Sequence, residues 1–450
     1  MGSSLPLKML GDANMVTTYQ EALDWIHARL KLGIKPGLKR MEWMMEKLGY
    51  PEKLLKTVHI GGTNGKGSTV TFLRSMLQAG GYTVGTFTSP YIEQFNERIS
   101  VDGKPISDEE LVSLTNVILP LADDLEKTEL GAPTEFEVIT AMSFYYFANV
   151  HPVDIVIYEV GLGGRLDSTN IIKPLLSIIT NIGLDHTAIL GNSYSEIALE
   201  KAGIIKKATP VFSAVQQADA RKVIKEKAVE MDAPLFLLNR DFSICSHSAL
   251  DHGERFTLQC SYKKWDNLEI SMIGAHQTEN ASLAVMAADY LNRLDFFSLA
   301  EKDVRDGLKM AYWPGRFEIV STEPLVIVDG AHNDEGIQAL VQELTSRFQN
   351  RKLHFIFTAL QDKKLDKMIE NLEQRAEQLV FVSFEFPRAS TAADLWALSS
   401  KSPKNVANED WQSAIMEKIE QIGKNDLLVI TGSLYFISLV KPFLRNLWQK

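Results

Sequence analysis

Thr57-Val-His-Ile-Gly-Gly-Thr-Asn-Gly-Lys-Gly-Ser-Thr69 reads as a short β-branched strand, a glycine-rich turn and the opening of a helix that continues through Phe72-Leu-Arg-Ser-Met-Leu77. Gly61, Gly62, Gly65 and Gly67 let the backbone enter φ > 0 and bring N–H groups close to an anion, while the first helical turn adds unpaired donors and its dipole. Lys66 is placed to neutralise nucleotide β/γ-phosphates, and Ser68 or Thr69 offers a hydroxyl to Mg²⁺. The spacing departs from the usual phosphate loop. Only Thr63 and Asn64 separate Gly62 from Gly65, and Gly67 stands between Lys66 and Ser68. A glycine-rich turn alone would be a plain strand-to-helix connection; strand, glycines, lysine and hydroxyl together predict nucleotide binding.

The chain around this loop has 450 residues, 45% of them hydrophobic, which is too long for one core and predicts two domains. A formal net charge of −10 argues against a nucleic-acid partner, so an anionic substrate must be met by local cations. Cys245 and Cys260 show no metal-ligand spacing and build no disulfide framework, which suits a reducing cytoplasm. Met1 to Asn14 lacks the basic start and apolar run of a signal peptide. No segment approaches the ~18 apolar residues of a membrane span, so no membrane partner is expected.

Taken in order, Thr17 is the expected N-cap of a helix through Leu30, and Lys35-Pro-Gly-Leu-Lys39 turns into another ending near Leu48-Gly49, both covering one edge of the sheet. Tyr82 to Thr88 reads as a second strand, followed by a long polar connection to Val101 that carries Glu93, Asn96, Glu97 and Arg98 and is expected to act as a substrate lid. Helices follow over Asp108–Lys127 and Thr134–Val150, with the Phe144-Tyr-Tyr-Phe147 cluster read as core. The apolar run Asp154 to Glu159 ends in a carboxylate, at the strand end where ligands of open α/β sheets collect. Glu159 is thus either a metal ligand beside phosphate or a cap on nearby glycines; Arg165 and Asp167 are expected to pair with each other. The strand Leu175 to Ile182 delivers Asp185-His186 in the same way, which raises His186 from a packed or surface histidine to a metal ligand. By residue type and position Lys201, late on its helix, reads as a surface charge.

Strands at Pro210–Val215 and Pro234–Leu238 flank a helix, and Phe242 to Ile273 alternates as antiparallel hairpins. Gly274 then opens a long Ala-rich helix to Leu294 in which Asn280 either reads a base or lies as a surface amide. The helical pattern breaks at Asp295–Glu301, where the boundary is set. Beyond it strands and helices alternate, which predicts a largely parallel sheet with helices on both faces. The expected fold is α/β in two domains. Residues 1–298 form a P-loop-type ATPase domain with a mainly parallel sheet plus a small antiparallel sheet, and residues 299–450 a Rossmann-like α/β domain. Polar clusters at two strand ends of the second domain, Asp329-Gly-Ala-His-Asn333 and Thr431-Gly-Ser433, suggest a half-site facing the first.

Several motifs, in order and spanning Thr17 to Val440, resemble one family. Gly62-Thr-Asn-Gly-Lys-Gly-Ser68, Thr88-Ser-Pro90, Phe95-Asn-Glu-Arg98, Glu159-Val-Gly-Leu-Gly-Gly164, Leu184-Asp-His186, Glu200-Lys-Ala-Gly203, Pro314-Gly-Arg316, Asp329-Gly-Ala-His-Asn333 and Thr431-Gly-Ser433 are similar to folylpolyglutamate synthase/dihydrofolate synthase, within the Mur ligase superfamily. The resemblance implies an ATP-dependent ligase in which a folate carboxylate, or that of dihydropteroate, is phosphorylated and the amino group of L-glutamate then displaces phosphate. It implies a Mur-type central domain with a folate-site loop, a glutamate-binding C-terminal domain, and a monomer.

By the same resemblance Gly62, Thr63, Asn64, Gly65, Lys66, Gly67 and Ser68 hold the triphosphate. Ser89 and Glu159, with Ser68 less strongly marked, ligate one Mg²⁺, and His186 a second. Lys201 matches a carbamylated family lysine whose carbamate would ligate metal. Asn280, Arg316 and Asp329 resemble nucleotide contacts; Asp329 with His332 orients ATP and glutamate; Arg98 and Ser433 resemble substrate-site residues. A ligase of cell-wall precursors would use a similar frame, and a GTP-dependent switch that binds partners is a reading of a different class. The guanine-reading Asn-Lys-x-Asp pattern that a switch requires is missing from the sequence.

Overall fold

The computed structural model describes residues 15–448. The first sheet contains β1 (Thr57–Gly61), β2 (Val84–Phe87), β3 (Ile99–Val101), β4 (Lys104–Pro105), β5 (Ile155–Glu159), β6 (Leu176–Ile179), β7 (Val211–Ser213) and β8 (Leu235–Leu237). Their order is β4-β3-β2-β5-β1-β6-β7-β8, with β1 in register beside β5 and β6 and parallel to both. Central strands buried on both faces explain the uninterrupted apolar runs that mark them in sequence. A three-stranded antiparallel sheet of β9 (Phe242–Leu250), β10 (Gly253–Cys260) and β11 (Lys264–Ile270) packs beside it as predicted. One core joins it to the helices Lys66–Ala79 and Ala275–Arg293.

The opposite face is covered by Asp108–Glu126 and Glu135–Tyr145, and the aromatic cluster lies in that core, where Phe144, Tyr146 and Phe147 are buried. The N-terminal helices Tyr19–His27 and Lys39–Lys47 form an outer layer on these helices instead of covering a sheet edge. The first is capped one residue later than expected. Thr18 accepts the Glu21 N–H at 3.2 Å and the Glu21 carboxylate accepts in return from the backbone of Thr17 and Thr18.

The connection after β2 is also shorter than its sequence suggests. Ile99–Val101 pairs antiparallel with Val84–Phe87 because its apolar residues fill the sheet, so the polar segment ends at Arg98. Within it the expected lid residues are already engaged. The Glu97 carboxylate accepts the N–H groups of Ile92, Glu93 and Gln94 at 2.8–2.9 Å. Asn96 donates to Ile106 O and Asp108, and Arg98 forms a buried pair with Glu135 at 3.1 Å.

The second sheet comprises β12 (Glu318–Thr322), β13 (Leu325–Asp329), β14 (Lys352–Phe357), β15 (Ala376–Val382), β16 (Asn405–Asn408) and β17 (Asp426–Thr431), in the order β12-β13-β17-β14-β15-β16. It is mixed, since β12 runs antiparallel to β13 while the rest are parallel. Its two faces carry separate cores.

The helix Glu301–Met310 falls on the second side of the boundary read from sequence, yet Val304, Leu308 and Ala311 sit in the first domain's core with Phe72, Leu73 and Met76. Gly307 makes the approach possible, because a Cβ there would overlap the backbone of Met76. We therefore propose a boundary after Ala311. Gly307→Leu is expected to lower stability by about 1–3 kcal/mol through overpacking. Urea unfolding checks this, and an unchanged midpoint would mean that the two helices do not meet.

Candidate active site

The carboxyl ends of β5, β1 and β6 lie side by side, so Glu159, the glycine turn and the Thr180–His186 segment are delivered to one place. Of the four glycines read as conformationally free, Gly62 (φ 147°) and Gly65 (φ 81°) use positive φ. Gly61 ends the extended strand. Gly67 is helical, and is needed because the Trp313 ring lies where its side chain would be. The turn is braced by the end of β6. Thr63 N–H donates to Asn181 O at 3.1 Å, Asn64 N–H to Asn181 Oδ1 at 2.8 Å, and Thr180 Oγ1 to Asn64 O at 2.6 Å. The helix that starts at Lys66 then presents the N–H groups of its first turn, a ready anion site. Of the two candidate hydroxyls, that of Thr69 donates to Gly65 O at 2.9 Å.

The lysines converge on this turn. Lys66 Nζ donates to Gly62 O and Thr63 O, each at 3.1 Å, and lies 4.0 Å from Glu159 Oε1. Lys201, expected on the surface, is buried, and its Nζ donates to the same Gly62 carbonyl at 2.9 Å. It is buried because Gly164 and Gly203 let the turn after β5 lie against its helix, Tyr194–Ala202. Burial lowers the Lys201 pKa to about 7, with nearby Lys66 acting in the same direction. Burial also lowers Lys66, against the pull of Glu159. The Glu159 carboxyl is pushed up to about 7 by burial, resisted by Lys66 and by the Ser89 N–H that donates to it at 3.3 Å. Ser89 and Glu159 therefore meet, through the Ser89 backbone N–H. Arg165 and Asp167 do not pair: Arg165 reaches across to Glu200 at 2.8 Å, while Asp167 accepts the N–H groups of Leu162 and Thr169 and so holds the glycine turn.

The second domain supplies the facing wall. Asp329 ends β13 in register with Thr431 of β17, so the two polar clusters adjoin, and Thr431 Oγ1 donates to Ala331 O. The Asp329 carboxylate accepts from Phe317 N–H and Ala331 N–H, both at 2.7 Å; burial raises its pKa and Arg316 opposes the rise. His332 donates from Nδ1 to Gly330 O at 2.8 Å, which turns Nε2 towards Asp185, 3.8 Å away. Burial and then Lys363 lower the pKa of both His332 and His186 to about 4, so both imidazoles are neutral at pH 7 and carry lone pairs.

Contacts absent from the sequence reading close the cleft. Lys363 pairs with Asp185 at 2.6 Å, Asn333 donates to Asp185 at 3.1 Å and to Asn64 at 2.9 Å, and Glu335 accepts the Leu184 N–H at 3.0 Å. Burial is the largest single influence on the Asp185 carboxylate and works against its charge, but Lys363, by charge and hydrogen bond, together with His186 and His332 holds the pKa below the usual range. Lys363 lies in the run Gln361-Asp-Lys-Lys364, where nothing in the sequence sets it apart from its neighbours.

Asn280 is buried against Gly65, so it belongs to the phosphate turn and is no surface amide. Ser433 is buried with its hydroxyl unpaired among the described residues, at the start of the helix Leu434–Trp448. Arg98, at the end of the polar segment that carries Ser89, stays with Glu135. Among the described residues, no three His, Cys, Asp or Glu side chains gather as a metal cage.

Two family models match the chain: the Mur ligase middle domain over residues 60–288 and the Mur ligase glutamate ligase domain over 315–434. The Bacillus subtilis dihydrofolate synthase/folylpolyglutamate synthase is 50% identical over 96% of this chain and 100% of its own length. The chain belongs to this family. Among solved structures, the Mycobacterium tuberculosis folylpolyglutamate synthase complexed with ADP and AMPPCP superposes with a TM-score of 0.87 at 30% identity, covering 96% of this chain and 99% of that one. An FPGS–AMPPCP–folate complex gives 0.83 at 32%, covering 95% and 100%. Family membership removes the GTP-dependent switch from consideration.

A carboxyl whose pKa rises on folding destabilises the ligand-free fold increasingly as pH climbs from its unfolded value, 4.5, through about 7. Glu159→Gln should therefore be more stable than the parent by about 1–3 kcal/mol above pH 7 and equal to it below pH 4.5. Denaturant titrations at the two pH values check this; a pH-independent difference would refute the raised pKa.

Proposed function

We propose that this cleft joins the amino group of L-glutamate to the carboxylate of a folate with cleavage of ATP to ADP and phosphate. The carrying observation is the opposition of the two walls: the phosphate turn with Lys66, Lys201 and Glu159 on one side, and Asp329, His332 and Ser433 at adjoining strand ends on the other. A folate carboxylate oxygen attacks the γ-phosphorus, ADP leaves, and the acyl phosphate forms. The glutamate nitrogen then attacks the acyl carbon, losing a proton as phosphate departs. Because an anion attacks an anion, rate comes from charge neutralisation and alignment. Lys66 and Arg316 supply positive charge, the first-turn N–H groups hold the phosphates, and Asp329 and His332 orient the reacting groups.

The oxygen donors at the turn suit Mg²⁺, which is usually held by one or two protein oxygens together with substrate phosphates. Ser89 and Glu159, with Ser68, would hold one ion, and His186 with Lys201 as its carbamate a second. When bound, the ions neutralise phosphate charge. Lys201 suits carbamylation because its amine is buried beside Lys66 without a carboxylate in ion-pair reach among the described residues, and CO₂ adds to a neutral amine with loss of a proton. Dihydropteroate is a second acceptor, a reading supported by the paired names of the Bacillus subtilis and Escherichia coli relatives. Both walls come from one chain, so a monomer suffices, and the free cysteines fit a cytoplasmic setting.

Lys66→Ala and Glu159→Ala should fold yet lose at least about 100-fold in glutamate-dependent ADP release; near-normal turnover would refute their roles. Lys201→Ala should be inactive and partly rescued by small added carboxylates. Unmodified Lys201 in the active enzyme, seen by mass spectrometry under native conditions, would end the carbamate assignment. Product masses from dihydropteroate and from tetrahydrofolate, each with ATP and glutamate, determine the acceptor range.

A further inference from the structure

The helix Leu434–Trp448 begins one residue beyond Ser433 and carries Lys441, only 7% exposed. Its Nζ lies 3.0 Å from Glu93 and 3.1 Å from Glu318. The two carboxylates belong to different parts of the cleft. Glu93 sits in the loop that begins at Ser89 and is braced by Glu97, so a pull on it is passed along the loop. Glu318 lies just past Arg316; it accepts the Gly315 N–H at 2.8 Å and thereby fixes the segment leading from the first domain into the second. Arg445, one turn further along the helix, reaches Glu93 at 3.2 Å from an exposed position.

A buried ammonium needs its carboxylates, and two carboxylates brought together need the ammonium. The interaction therefore forms only when the Ser89 loop, the Gly315–Arg316 segment and the helix behind Ser433 are in one relative arrangement. We propose that Lys441 is a positioning residue that sets the Ser89 loop in register with the helix that follows Ser433. The proposal rests on the ligase reading above for its catalytic consequence, but its structural part is independent of it.

The test compares Lys441→Met, Lys441→Arg and Glu93→Gln in the full chain. Lys441→Met and Glu93→Gln should each lower kcat/KM for the folate acceptor about tenfold while KM for ATP stays within about twofold, and Lys441→Arg should recover most of the loss. Amide exchange across residues 89–98, measured without substrates, should quicken in the first two variants and return in Lys441→Arg. If Lys441→Met does not fold, Glu93→Gln on its half-buried loop carries the same readouts. Unchanged exchange overturns the proposal, as does an equal loss for ATP and folate, which would mark general destabilisation. Absence of glutamate-dependent turnover in the parent would instead sink the ligase reading, and exchange alone would then decide the role of Lys441.

Discussion

The carbonyl of Gly62 accepts hydrogen bonds from both Lys66 and Lys201. Two amines gathered on one peptide oxygen, with Glu159 the near carboxylate at 4.0 Å from Lys66, are both pushed towards their neutral form by desolvation. Such an arrangement is costly in the ligand-free fold. It becomes favourable when a triphosphate enters, so the site is built for its ligand at the expense of resting stability.

That gathering of amines is possible because the backbone around it is fixed by other means. Gly62 and Gly65 adopt positive φ, and Asn181 and Thr180 brace the turn from the neighbouring strand. Gly67 admits Trp313, which lies in the segment linking the domains, against the helix that opens at Lys66. The phosphate turn is thus in contact with the element that must adjust if the domains move. The Asp185 cluster ties the opposite wall to the same turn through Asn333 and Asn64.

The loop after β2 shows how residue type leaves the partners of a side chain open. Its Ser89 N–H reaches the Glu159 carboxylate. Glu93, Asn96, Glu97 and Arg98 hold the loop in shape or tie it to neighbouring elements through their polar groups. A polar residue type in a loop cannot distinguish a group that faces substrate from one that caps a backbone turn.

The sequence by itself determined the local chemistry. The spacing of Gly62 to Ser68, the carboxylate at the end of the run to Glu159, and the polar clusters after two later strands are properties of short segments, and short segments carry their own backbone preferences. Tertiary structure decided everything that depends on separated segments meeting. It buried Lys201, exchanged the expected Arg165–Asp167 pair for Arg165–Glu200, drew Glu301–Met310 into the first core, and brought Lys363 to Asp185. The physical reason is that burial and ion pairing are set by what lies across space, and a residue's neighbours along the chain do not encode the partner supplied by a distant strand end.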